Sequence, residues 1–201
     1  MPLFPLDLVL FPHTDLPLHI FEERYKEMIQ DCLQNRWEFG MLSVQDQSVN
    51  DIGCTASITE VLERYPDGRM DIMVRGRRRF ELASVNEEKS YLRGERTFLD
   101  DDASESSDEL RNRALDLYDR LKEIAVRDNK SLQRPYPTAS DTQLSYRMMA
   151  GLPADLTWKQ SLLELRSERE RLIQVVPFLE KFIEYLETSP DQRPASPRGI
   201  A

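Results

Sequence analysis

Two histidines, two cysteines and one run of arginines are the residues whose types could do chemistry in this chain. His13 and His19 cannot form the His-Glu-x-x-His zinc motif, and two imidazoles are too few for a histidine-rich metal site. Cys32 and Cys54 make no disulfide framework and read as reduced, buried thiols of a reducing compartment. The seven glycines, at 40, 53, 68, 76, 94, 151 and 199, are never spaced as a phosphate-binding loop or a GxGxxG fingerprint requires. None is followed two places on by serine, so there is no nucleophile elbow. Nothing marks a reactive Ser–Lys pair. Arg75-Gly76-Arg77-Arg78-Arg79 is the one basic cluster, with the chemistry to hold an anion or RNA. Strand side chains alternate faces, so a turn whose arginines pair with nearby acids is the simpler reading. The sequence therefore assigns no catalytic residue, no metal ligand and no cofactor.

Net charge and apolar residues narrow the function further. A formal charge of −9 over 201 residues argues against a general nucleic-acid binder, which needs a basic face. The N-terminus carries Asp7 and Asp15 and no Lys or Arg before Arg24, unlike a secretory signal. No apolar stretch approaches the roughly 20 residues of a membrane span. A cytoplasmic protein without membrane attachment is expected. The candidate contact residues are apolar: Trp37, Phe39, Tyr65, Met70, Met73 and Tyr91. Each suits a core, and a few together on a surface would suit an extended or unfolded polypeptide.

The elements that must position these residues change period midway. Leu3–Phe11 and Leu16–Ile20 read as strands, followed by a helix from about Phe21 to Leu33 with Tyr25, Met28, Ile29 and Leu33 on one stripe. Further strands are expected at 39–44, 54–65, 69–75, 79–85 and 91–99. Tyr65-Pro66-Asp67-Gly68-Arg69 is a hairpin turn, because Pro presets φ and Gly accepts φ > 0. The acidic, serine-rich stretch 100–107 reads as a boundary. Beyond it, stripes predict helices along Leu110–Ile124, Leu144–Leu152, Trp158–Leu165 and Leu172–Leu186, with Pro177 kinking or restarting the last. Ser106…Glu109, Ser140…Gln143, Thr157…Gln160 and Ser167…Glu170 fit capping boxes at those helix starts. The expected class is α+β. A β-rich lobe with one helix spans 1–102, a helical bundle lobe spans 106–187, and a disordered polar tail spans 188–201.

Several segments, in order, resemble the Lon protease N-terminal, substrate-binding domain. They are Leu3-Phe4-Pro5-Leu6, Val9-Leu10-Phe11-Pro12, Pro17-Leu18, Ile20-Phe21-Glu22 with Arg24-Tyr25, Gly53-Cys54-Thr55-Ala56-Ser57-Ile58, Pro66-Asp67-Gly68-Arg69 and Gly76-Arg77-Arg78-Arg79-Phe80. Lys159-Gln160-Ser161-Leu162-Leu163-Glu164 and Glu170-Arg171-Leu172 continue the likeness into the helical half. The resemblance implies a PUA-like pseudo-barrel lobe, of the type cereblon shares, followed by a helical bundle. It also implies a stand-alone bacterial member, since no ATPase or peptidase motif follows.

The resemblance makes a non-catalytic protein- or peptide-binding module the leading expectation, with unfolded or peptide substrates as partners. An adaptor or regulator acting with a separate ATP-dependent protease is the second. An unrecognised hydrolase and an RNA binder rank lower. Self-association stays open.

Overall fold

One strand organises the sheet. The computed structural model describes residues 1–45, 47–102, 108–128, 130, 132 and 135–188. The first elements are β1 (Leu3–Leu6), β2 (Asp15–Ile20), α1 (Glu23–Asn35), β3 (Phe39–Gln45), β4 (Ser48–Val49), β5 (Ile52–Arg64), β6 (Met70–Asn86) and β7 (Arg93–Leu99). The sheet order is β1-β3-β5-β6-β2, with β4 on β3 and β7 on β6. β6 thus pairs with β2, β5 and β7 along its length. The other end curls round: Leu3 N–H donates to the Leu92 carbonyl and Gly94 N–H to the Met1 carbonyl, both at 2.9 Å.

The sequence pattern splits β6 in two at Gly76, yet the structure is continuous there. Gly76 is needed for proximity, not for a turn. A Cβ on it would lie 2.1 Å from the Phe11 carbonyl oxygen. That backbone approach lets Gly76 N–H reach the Thr14 carbonyl and its own carbonyl accept from His13 N–H, each at 2.9 Å. The turn between β5 and β6 does form as the residues predict, with Gly68 at φ +86° and Tyr65 N–H donating to the Arg69 carbonyl at 2.9 Å. Only the first part of the Leu3–Phe11 run is strand. Leu10 and Phe11 leave the ladder and fill the core instead.

α1 buries Tyr25, Met28, Ile29 and Cys32 against Phe4, Phe39, Ile72 and Val74 of the sheet. Free sheet edges are blunted. Pro17 lies in β2, the last strand of the order, where a missing N–H costs no ladder bond if it points outward. Beyond Ala56, β5 pairs only with β6 among the described residues, and it carries bulges between Ile58 and Glu60 and between Val61 and Glu63. Bulges disrupt the regular row of N–H and C=O groups that another strand would need.

The described chain groups into two compact units, and α4 (Leu156–Glu164) belongs to the first, with residues 1–100. The sequence reading placed this helix with the other helices. Two buried polar side chains explain its position. Gln160 accepts from Ser43 Oγ at 2.7 Å and donates to the Ile52 carbonyl at 3.0 Å. Arg79, 2% exposed, donates to the Leu163 carbonyl at 2.9 Å, capping the helix C-terminus.

The second unit contains α2 (Asp108–Arg127), α3 (Leu144–Met149) and α5 (Glu168–Thr188). Leu110, Ala114, Leu117, Leu121 and Ile124 recur at alternating steps of four and three, the spacing of a coiled-coil seam. α2 and α5 run parallel. Arg113 pairs with Glu180 at 2.8 Å and Arg120 with Glu187 at 2.7 Å, seven residues apart on both helices. Arg171 is fully buried, and every donor group on it is used: Asp101, Glu168, Ser145 Oγ and the Leu165 carbonyl accept from it. Its guanidinium also lies 4.2 Å from the centre of the Tyr146 ring.

The caps differ from expectation. Ser167 Oγ accepts from Glu170 N–H at 3.4 Å, one half of the expected box. At α4 the acceptor is Asp155 Oδ1 for Trp158 N–H, because Thr157 already lies inside the helix. Ser140 bonds Thr138, and Gln143 caps α3 without a side-chain bond. Ser106, most of the 100–107 boundary and the 189–201 tail lie outside the described residues.

α5 continues through Pro177 without a break. The missing N–H frees the Ile173 carbonyl, and Ile173 is 45% exposed, so water can satisfy that group. Pro177→Ala should restore the bond and raise stability by about 1–3 kcal/mol, read as a higher urea midpoint. Arg171→Met should cost about 3–5 kcal/mol, because it strands the Asp101 and Glu168 carboxylates. Loss of the cooperative unfolding of α2 and α5 in that variant would be read by helical circular dichroism.

Candidate functional site

The outer face of β2–β6–β5 gathers groups that the core does not use. Side chains directly opposite in an antiparallel ladder share a face. His19, Asp71 and Glu63 form one such row, and Pro17, Met73 and Glu60 the next. Ile72 and Val74, of opposite parity on β6, point into the core and are fully buried. The same alternation leaves Asp71, Met73 and Arg75 facing out.

At the hairpin end of this face, Asp71 receives two hydrogen bonds. His19 Nδ1 lies 2.5 Å from one carboxylate oxygen, and Tyr65 Oη donates to the other at 2.7 Å. A carboxylate only accepts, so Nδ1 carries the proton and Nε2 is directed away from Asp71. Tyr65 Oη is also 3.1 Å from Glu63 Oε2. These bonds, that from His19 first, hold the Asp71 carboxyl below its ordinary 3.8, and the same carboxylate pushes the Tyr65 phenol up to about 12. Phe21, 47% exposed, stacks on the His19 ring at 6.0 Å, and Tyr65 meets that ring edge-on at 6.0 Å. Arg75 is bound by Asp15 through two bonds of 2.6 and 2.8 Å.

This arrangement orients an imidazole but supplies no nucleophile to it. Both thiols are buried, and desolvation pushes Cys32 and Cys54 up to about 12, where they stay protonated and unreactive. Among the described residues no group of three His, Cys, Asp or Glu side chains could hold a metal. No described helix is long and apolar enough to cross a membrane.

The residues picked from the sequence are dispersed. Tyr65 and Met73 lie on this face, half-buried. Phe39, Met70 and Tyr91 are core side chains, exposed by 0%, 5% and 2%. Strand parity turns the first two inward, and the Tyr91 hydroxyl is held by Asp31 at 2.7 Å. Trp37 is 44% exposed just beyond α1, outside the paired strands, with its backbone N–H on the Cys32 carbonyl. His19 and Phe21 also lie on this face and are not among the candidate contact residues that the sequence singles out. The signal was present, since His19 shares parity with Asp15 and Pro17, but its pairing with Asp71 spans 52 residues.

The basic run forms no free stripe. Arg75 pairs with Asp15, Arg77 approaches Glu38 at 3.8 Å, Arg78 bonds Asp100 at 3.1 Å, and Arg79 caps α4. A cleft of about 510 Å³ between α1 and the hairpin is lined by Glu23, Lys26, Glu27, Arg64, Asp67 and Met70 among others. Its charges are mixed and Lys26 is already bound to Glu23 and the Asp67 carbonyl, so it favours no one ligand.

The sequence profile of the ATP-dependent protease La (LON) substrate-binding domain matches residues 1–181. The chain belongs to the Lon substrate-binding domain family. It is 24% identical to the Lon protease of Parabacteroides distasonis and 25% identical to Lon protease 1 of Bacillus subtilis, over 93% of its own length in each case. It spans about a quarter of those relatives, 24% and 26%. The crystal structure of a Lon N-terminal domain protein from Xanthomonas campestris superposes with a TM-score of 0.68 at 25% identity, covering 89% of this chain and 97% of that one. The mixed α and β architecture, with a large sheet and five helices among the described residues, is thus similar to that of Lon N-terminal domains. What is matched is the Lon substrate-binding domain, not the ATPase or peptidase part.

The depressed Asp71 pKa has a pH consequence. Its folded value lies below the unfolded one, so the stabilisation is present above about pH 4 and is lost as pH falls through the folded value. Asp71→Asn should therefore flatten the acid limb of the stability–pH curve, measured by chemical denaturation from pH 7 down to pH 3. An acid limb identical to wild type would contradict the assignment.

Proposed function

We propose that this chain is a non-catalytic recognition module that binds exposed segments of other polypeptides through the outer face of β2–β6–β5. The observation that carries the reading is the match of residues 1–181 to a substrate-binding domain. Three features of the face support it. Phe21 is exposed, Tyr65 and Met73 are half-exposed, and Pro17 is exposed beside them, so apolar area remains to be buried. Met73 is adaptable in shape, which suits varied sequences. The blunted edges of β2 and β5 leave side-chain contact, not strand addition, as the mode of capture. On this reading the β-rich lobe is PUA-like, and the helices of the second unit form the bundle that follows it.

A second reading is favoured by the identity of the relatives, which are Lon proteases. Here the module acts as an adaptor or regulator of a separate ATP-dependent protease. Reconstituted degradation separates the two, since only an adaptor changes the rate or substrate range of the protease.

Binding should be seen by fluorescence anisotropy with a reduced, carboxymethylated protein as the unfolded probe, and should be absent with the same protein folded. Burying a phenyl ring is worth about 1.5–3 kcal/mol, so Phe21→Ser should weaken binding about tenfold or more, with Met73→Ser somewhat less. Equal affinity for folded and unfolded probes would sink the proposal.

A further inference from the structure

The charges on the outer face are unevenly answered. Arg75 is neutralised by Asp15, and Arg69 by Asp67 at 2.7 Å. Arg64 has the opposite parity and reaches the Met70 sulfur at 3.3 Å, on the side of the cleft by α1. Glu60, Glu63 and Asp71 remain. Asp71 is met by the ring N–H of His19 and the hydroxyl of Tyr65. Glu60 is exposed on the strand, opposite Met73. Among the described residues Glu63 has only the Tyr65 oxygen, at 3.1 Å. A hydroxyl has one proton, and the shorter bond to Asp71 takes it, so among the described residues the Glu63 carboxylate is left without a donor.

These carboxylates border two apolar patches, Phe21 with Tyr65 and Pro17 with Met73, which the His19–Asp71 row separates. Neighbouring strands lie about 5 Å apart and rows on one face about 7 Å apart, so Glu60 and Glu63 fall within one side chain of Met73 and Tyr65. A partner that places an apolar ring on either patch puts its flanking residues beside Glu60 and Glu63, which pair with no cation among the described residues.

We propose that this face selects polypeptide segments in which lysine or arginine flanks an aromatic or large aliphatic residue. An aromatic or aliphatic side chain lies on Pro17 and Met73 or, across the His19–Asp71 row, on Phe21 and Tyr65, and the cation reaches Glu60 or Glu63. Acidic apolar segments meet like charge and are turned away. The inference rests on the recognition reading above and adds the substrate class to it.

Three labelled, unstructured peptides test it. They share length and aromatic content and carry lysine, glutamine or glutamate at the same flanking positions. Anisotropy titration of the full chain should rank them lysine, glutamine, glutamate, with about tenfold between the extremes at low salt. The ratio should shrink as salt is raised. The double variant Glu60→Gln, Glu63→Gln should bring it close to one, and since both side chains are exposed its melting transition should match wild type. Equal affinity of all three peptides for the wild-type chain overturns the charge selection while leaving the recognition reading intact. Binding of none of them, nor of the unfolded protein probe, overturns both. A ratio that the double variant does not change assigns the selectivity to another surface and overturns the site.

Discussion

The sheet depends on β6 passing straight through Gly76. Seventeen residues from Met70 to Asn86 serve β5, β2 and β7 in turn, and only a residue without Cβ admits the Phe11 carbonyl against the strand. That approach fixes the start of β2 through its bonds to Gly76. β2 in turn sets His19 opposite Asp71, and so the outer face inherits its geometry from a backbone contact at the far end of the same strand.

Polar groups in this protein fall into two kinds. Arg79, Gln160 and Arg171 are buried, and the acceptors or donors they meet are backbone carbonyls and fixed side chains. Burying such groups is tolerable only when their hydrogen bonds are made, so they hold elements in place. Glu60 and Glu63 are the reverse. They sit at the surface, beside apolar side chains, with little of their capacity used. That contrast, more than any motif, separates architecture from binding potential here.

Much of the fold could be read directly. The helical stripes of α1, α2 and α5 and the Pro66–Gly68 turn are local patterns, set by periodicity and backbone preference within a few residues. Local signals mislead where a distant contact overrides them. Gly76 and its arginines look like a turn until Phe11 is placed beside them. Thr157 fits a capping box until Gln160 is drawn to Ser43, 117 residues away. Phe39, Met70 and Tyr91 had the right composition for a binding surface, but strand parity and the packing of α1 turn them inward. His19 had the right parity, and its partner lay beyond any local window.

The sequence by itself determined the family, the identity of most elements and the lack of the familiar nucleotide, zinc and hydrolase motifs. These follow from residue types at short, fixed spacings. Tertiary structure alone decided which side chains are available. Whether an arginine is a ligand-binding group or a cap depends on the acceptor within about 3 Å of it, and whether a methionine is core or contact depends on which face its strand presents. Both are properties of residues far apart in the chain and adjacent in space, so no local pattern could carry them.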